Sequence, residues 1–251
     1  MRKSRAKAKR GNLADGGSAV ADREWEFVQE LLASSLFRTI FMWGPPGIGK
    51  TFAAYKMGRI DRGVFPVTLT PETPASELMG HFVPRGNELV WRDGPFTAAM
   101  RAGGRLVINE VEHASSDVLA ILYPVLESAE TAQLILPTTE IVAPAEGFHV
   151  IATNNEPPDN LPLALQDRFE CEVHIKHPHP DALAKLDPAL QRAALRTMSL
   201  EAERVVSMRR WQTIARLQNT FGLERACRAV LGAERGAQVY DAIILAEKPT
   251  E

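Results

Sequence analysis

Residues 44–51, GPPGIGKT, set three glycines, a lysine and a threonine in the spacing G-x-x-x-x-G-K-T. Glycines let backbone N–H groups turn inward around an anion at the start of a helix. A lysine at the end of such a loop brings a compact positive charge to the β and γ phosphates of ATP, and the following hydroxyl suits Mg²⁺. The candidate nucleotide-binding residues are therefore Gly44, Pro45, Pro46, Gly47, Ile48, Gly49, Lys50, Thr51 and Phe52.

Hydrolysis also needs a group beside Mg²⁺ and a base for the attacking water. The run Arg105 to Glu110, RLVINE, ends a predicted buried strand with two such side chains. Glu110 is the candidate base, whereas Asn109 stands where an acid would ordinarily serve the metal. An amide can accept from a metal-bound water but brings no negative charge, so Asn109 is expected to reach Mg²⁺ through water and to weaken its binding about 10- to 100-fold. Together with Thr51 it forms the candidate metal site. Thr153, Asn154 and Asn155 close the next strand, where an amide could reach the γ-phosphate.

Residues Cys171, His174, His177 and His179 are rich in metal-ligand types. Alternation along a strand and two intervening prolines splay them apart, so no zinc site is expected. The two cysteines lack the paired spacing of a redox or zinc motif and are read as free thiols.

Around these residues, predicted strands alternate with helices. Strands are expected at 39–43, 64–69, 105–109, 148–153 and 171–175, and helices at 49–60, 96–101 and 116–128, the last kinked or shortened by Pro124. Asp22 reads as the cap of an earlier helix carrying Trp25, Val28, Leu32 and Leu36. Strand-helix alternation argues a parallel sheet covered on both faces, an α/β class. Two β-prone runs around a Pro-Thr-Thr turn make 131–146 a predicted hairpin, and everything after 178 is helical in character.

The chain has 251 residues and a net charge of −2, but six of its 29 basic residues fall within residues 1–10, leaving an acidic body. Residues 1–21 are expected to be a basic, disordered tail, able to touch nucleic acid but lacking aromatic side chains for base stacking. No apolar run reaches membrane-span length, and no apolar segment follows the basic start, so a cytoplasmic protein is expected.

In order, GPPGIGKT, ELMGHFVPRGNELVWRDGPFTAAMRAG, RLVINEVEHASSDVLAILYPVLES and FHVIATNNEPPDNLPLALQDRF resemble the MoxR, CbbQ and NorQ group of AAA+ ATPases and their dynein-related relatives. The resemblance covers roughly residues 25–178. It implies a P-loop αβα core with strand order 5-1-4-3-2 over residues 22–178, and a helical lid over 179–251. It also implies an insertion in the second helix at 79–94 and a pre-sensor hairpin at 131–146. Residue by residue, Asn155 falls on sensor 1, with Asn154 as the neighbouring alternative. Arg168 matches the arginine finger acting in trans, and Arg209 resembles sensor 2, with Arg210 beside it. The resemblance further implies a homo-hexameric ring that uses ATP and Mg²⁺ to remodel a client, often with a von Willebrand A-type partner. An assembly scaffold that hydrolyses poorly because of Asn109, and a DNA-directed motor, are the alternatives.

Overall fold

The computed structural model describes residues 13–198 and 205–247. These divide into two compact units, one within Phe27–Lys176 and one formed by the described parts of Met1–Glu26 and His177–Glu251.

Helix α1 (Leu13–Ala33) opens the described chain. It starts well before Asp22, which is therefore an interior residue and not a cap. Alanines at 14, 19 and 21 favour helix and carry it upstream, so residues 13–21 are helical, while the rest of the expected tail lies outside the described residues. Leu36, expected on the apolar helix face, follows the end of α1 and is 83% exposed.

The Phe27–Lys176 unit is built on five parallel strands: β1 (Thr39–Trp43), β2 (Val64–Thr68), β5 (Arg105–Asn109), β8 (His149–Asn154) and β9 (Cys171–His174). Their spatial order is β2-β5-β8-β1-β9, which is the expected 5-1-4-3-2 read from the other edge. Every residue of β5 and β8 is buried, as continuous apolar strands in the middle of a two-sided parallel sheet must be. The edge strands β2 and β9 are only partly covered, with exposed positions in both and Val173 as the buried residue of β9.

Helices α2 (Lys50–Lys56), α3 (Ala75–Met79), α4 (Pro95–Ala102), α5 (Ser116–Leu126) and α6 (Leu163–Gln166) belong to this unit. Phe96, Met100 and Leu122 from the helices pack with Phe41, Leu106, Ile108 and Val150 from the sheet in one apolar core. Helix α2 stops short of the expected residue 60. Gly58 (φ 74) breaks it, and a Cβ there would lie 2.1 Å from the Leu32 carbonyl. Pro124 is accommodated inside α5, which ends soon after it at Leu126.

Two antiparallel ribbons interrupt the core. Strands β6 (Leu134–Ile135) and β7 (Ile141–Val142) pair within the expected hairpin. The 79–94 insertion is itself a ribbon, β3 (Gly80–Arg85) on β4 (Glu88–Asp93). Trp91 packs edge-to-face on Phe82 and donates to Asp93, while Phe96 is wholly buried.

The second unit is helical: α7 (Pro180–Leu183), α8 (Pro188–Met198), α9 (Met208–Phe221), α10 (Leu223–Leu231) and α11 (Ala233–Glu247). Leu190, Trp211, Ile214, Cys227 and Ile243 form its core. Among the described residues no helix is long and apolar enough to cross a membrane, and no group of three His, Cys, Asp or Glu side chains could hold a metal ion.

Candidate nucleotide-binding site

Strand β1 delivers the chain into the 44–51 loop, and α2 leads away from it. Gly44 (φ 146) has no room for a side chain, because a Cβ would meet the Ile175 carbonyl at 2.0 Å. Gly49 (φ 119) caps α2 in the left-handed region, a conformation glycine adopts at no steric cost. The loop thus curls back on itself, and Lys50 closes it. Its buried Nζ donates to the carbonyls of Gly44 (2.7 Å) and Pro45 (2.9 Å) and to Asn155 Oδ1 (3.1 Å). These three acceptors match the three protons of an ammonium group.

Asn109 ties four elements together at the end of β5. Its Oδ1 accepts from Thr51 Oγ1 (3.3 Å) and Thr153 Oγ1 (3.0 Å). Its Nδ2 donates to Tyr55 Oη (3.0 Å) and the Val67 carbonyl (3.1 Å). Both protons and both lone pairs of the amide are engaged. Asn109 contacts Thr51 directly, and its oxygen is shared by two hydroxyls. Tyr55 is not singled out by sequence, and Thr153 is named there only for its place at the strand end. Tyr55 lies one helical turn beyond Thr51, and that spacing is the signal that could have found it.

Glu110 follows with φ 56 and ψ 49. A left-handed conformation at a non-glycine residue stores strain and recurs at functional sites. Its N–H donates to the Thr153 carbonyl (2.9 Å), which holds the turn, and its carboxylate is half exposed, 4.0 Å from His113 Nε2. Burial raises the carboxyl pKa of nearby Glu112 above the usual range, and the charges of Glu110 and Glu156 add to that rise.

The two strand-end asparagines divide their tasks. Asn155 reaches Lys50, whereas Asn154 turns its Oδ1 to the Asn155 N–H (2.7 Å) and is buried. Arg168 touches none of these groups. Its Nη2 pairs with Glu127, its Nη1 donates to the Ala164 carbonyl (2.6 Å), and its guanidinium lies 4.8 Å from the Tyr123 ring centre. Arg209 and Arg210 are exposed on the first turn of α9 in the helical unit. Of the residues expected from sequence, the structure pairs Lys50 with Asn155 and Thr51 with Asn109, and Glu110 follows Asn109 directly. The basic residues 2–10 lie outside the described residues.

Residues 39–169 match the AAA domain (dynein-related subfamily). The chain belongs to this AAA family. Within it, the chain is 34% identical to protein NorQ of Paracoccus denitrificans over 131 residues, 51% of this chain and 47% of that protein. It is 28% identical over 123 residues to the denitrification regulatory protein NirQ of Stutzerimonas stutzeri, 49% of this chain and 44% of that protein. These relatives set it in the MoxR, CbbQ and NorQ group, although each match spans only about half of the relative's length. An uncharacterized Staphylococcus aureus protein is 29% identical over 248 residues, 85% of this chain and 93% of that one. The AAA match runs from the first residue of β1 to just past Arg168, and so contains every contact described around Lys50 and Asn109.

Proposed function

We propose that this AAA protein binds ATP with Mg²⁺ in the 44–51 loop, hydrolyses it, and uses the cycle to remodel a partner protein. The observation that carries the reading is the convergence of Lys50 Nζ on the loop carbonyls and on Asn155 Oδ1, just past the end of β8, the strand that pairs with β1. An ammonium so held can exchange its carbonyl acceptors for phosphate oxygens without moving its helix.

The residues also fit Mg²⁺. Thr51 gives its hydroxyl proton to Asn109 Oδ1, which leaves the oxygen lone pairs for a hard cation. When bound, Mg²⁺ neutralises phosphate charge during transfer. In this reading Asn109 is a positioning residue that aims Thr51. Glu110 takes a proton from the attacking water, and its half-exposed carboxylate at the strand end is suited to that role. Asn155 orients the γ-phosphate or the water. Arg168 and Arg209 act on phosphate as arginine finger and sensor 2, the former from a neighbouring subunit of a homo-hexameric ring. The partner is a client protein or a protein of von Willebrand A type, and the setting is cytoplasmic.

Phosphate release with Mg²⁺ tests this. The natural chain should hydrolyse ATP, Lys50→Ala should neither bind nor hydrolyse, and Glu110→Gln should bind without turnover. Undiminished release by Lys50→Ala would overturn the reading. A nucleotide-dependent assembly scaffold is the second reading, favoured by the neutral and fully bonded Asn109. Assembly with ATP but no release, with or without a partner, would select it.

A further inference from the structure

In a parallel sheet all strands begin at one edge and end at the other. The 44–51 loop follows the C-terminal end of β1. At the opposite edge, residues just before β1, β2, β5 and β8 line a second cavity of about 610 Å³. That volume is within the range of about 300–1,000 Å³ usual for small-molecule sites. Four arginines, Arg38, Arg59, Arg62 and Arg105, contribute to its lining.

Arg105 is wholly buried at the first position of β5, and all its acceptors are neutral. Nε donates to His149 Nε2 (2.9 Å), Nη1 to the carbonyls of Ala54 (2.9 Å) and Met57 (2.6 Å), and Nη2 to that of Leu32 (3.3 Å). His149 Nδ1 faces the Gly147 carbonyl at 2.8 Å, so that nitrogen carries the ring proton and Nε2 is left to accept. Arg59, just beyond α2, makes no side-chain hydrogen bond or ion pair among the described residues. Its Nε is buried, and its charge acts on Arg105, of the same sign. Across the cavity, Arg38 Nη1 donates to the Val125 carbonyl (3.2 Å), while its Nε and Nη2 are buried without a hydrogen-bond partner among the described residues.

Carboxylates are unevenly spread here. Glu127, Glu130 and Glu170 act on Arg38, and Asp61 acts on His149. Asp61 and Glu146 also line the cavity, but among the described residues no carboxylate makes an ion pair with Arg59 or Arg105. Two like charges out of bulk water cost free energy that an anion relieves. Phosphate suits the task better than a carboxylate, since its three oxygens can serve separate guanidinium groups at once.

We propose that this cavity binds a small organic phosphate of the sugar-phosphate or nucleoside-monophosphate class. The phosphate lies against Arg59, and the hydroxyl-bearing body lies towards Arg38, Glu130 and Glu170. The cavity and the 44–51 loop are at opposite ends of α2, whose last carbonyls Arg105 holds, so the two sites can be filled together.

Calorimetric titration of the full chain with ribose 5-phosphate tests the assignment, with ribose and inorganic phosphate as comparisons. Binding should be saturable and kept in Lys50→Ala. It should weaken at least tenfold in Arg59→Gln and in Arg38→Gln, with ribose inert and inorganic phosphate weaker than the sugar phosphate. Arg59→Gln removes no side-chain bond among the described residues, so it remains informative even if Arg38→Gln fails to fold. No saturable binding, or unchanged affinity in folded Arg59→Gln, would overturn the proposal. Loss of binding in Lys50→Ala would overturn it too, by assigning the ligand to the 44–51 loop. Equal affinity for inorganic and sugar phosphate would overturn the organic-phosphate assignment.

Discussion

The amide nitrogen of Asn109 donates to the backbone carbonyl of Val67 at 3.1 Å. A carbonyl has no proton to return, so position 109 must present a donor there. Asn109→Asp sets a carboxylate oxygen against that carbonyl and leaves it unsatisfied, at a cost of about 1–3 kcal/mol. Without nucleotide the variant should melt lower, by about 2–4 °C for each kcal/mol lost. With Mg²⁺ and ATP the new charge sits beside the metal, so half-maximal phosphate release should need less Mg²⁺. An unchanged melting temperature would deny the Val67 contact, and equal rates across a Mg²⁺ titration would deny the place of residue 109 beside the metal.

Asn155→Ala separates binding from chemistry. Lys50 keeps its two loop carbonyls, so ATP affinity measured by calorimetry should change little. Loss of a group aimed at the reacting phosphate should lower kcat by about 10²-fold, the scale for removing one such contact. A fall in affinity with unchanged kcat would make Asn155 a part of the loop's packing only.

Arg168 is held by Glu127 and the Ala164 carbonyl within its own chain. If it serves a neighbouring subunit, Arg168→Ala should retain ATP binding and lose about 10³-fold or more in turnover, as for arginine fingers generally. Mixing it with Glu110→Gln should restore part of the activity, because some interfaces then pair an intact Glu110 with an intact Arg168. Full activity of a monomer at every concentration would remove the trans role.

Burial and the neighbouring arginines lower the His149 pKa from 6.5 to about 4. The folded chain therefore holds this ring neutral where the unfolded chain protonates it. Its contribution to stability is complete above pH 6.5 and is lost as the pH falls towards 4, with a limit on the order of 3 kcal/mol. Melting temperature should decline across that window. His149→Gln keeps an acceptor for Arg105 and should flatten the decline; an identical pH profile in that variant would place the sensitive group elsewhere.

Much of this was legible in the chain itself, because the relevant signals are local. The 44–51 spacing needs only neighbouring residues to form its curl, and the apolar runs at β1, β5 and β8 can be buried only as central strands, which dictates the parallel sheet. The loop, the strand ends at Asn109 and Asn155 and the helical character after 178 follow from such patterns. Where propensity alone decided, it erred: α1 extends through Asp22 because its alanines outweigh a single capping residue, and α2 ends early because Gly58 must pass against the Leu32 carbonyl. The tertiary structure alone decided which side chains meet. Thr51, Tyr55, Val67 and Thr153 converge on Asn109 from two strands and a helix, and no spacing along the chain encodes that they share one amide. The same holds for Arg59 and Arg105, which are ordinary basic residues in sequence. Only folding, by bringing strand beginnings to one edge and removing water between them, makes their charges adjacent and unpaired.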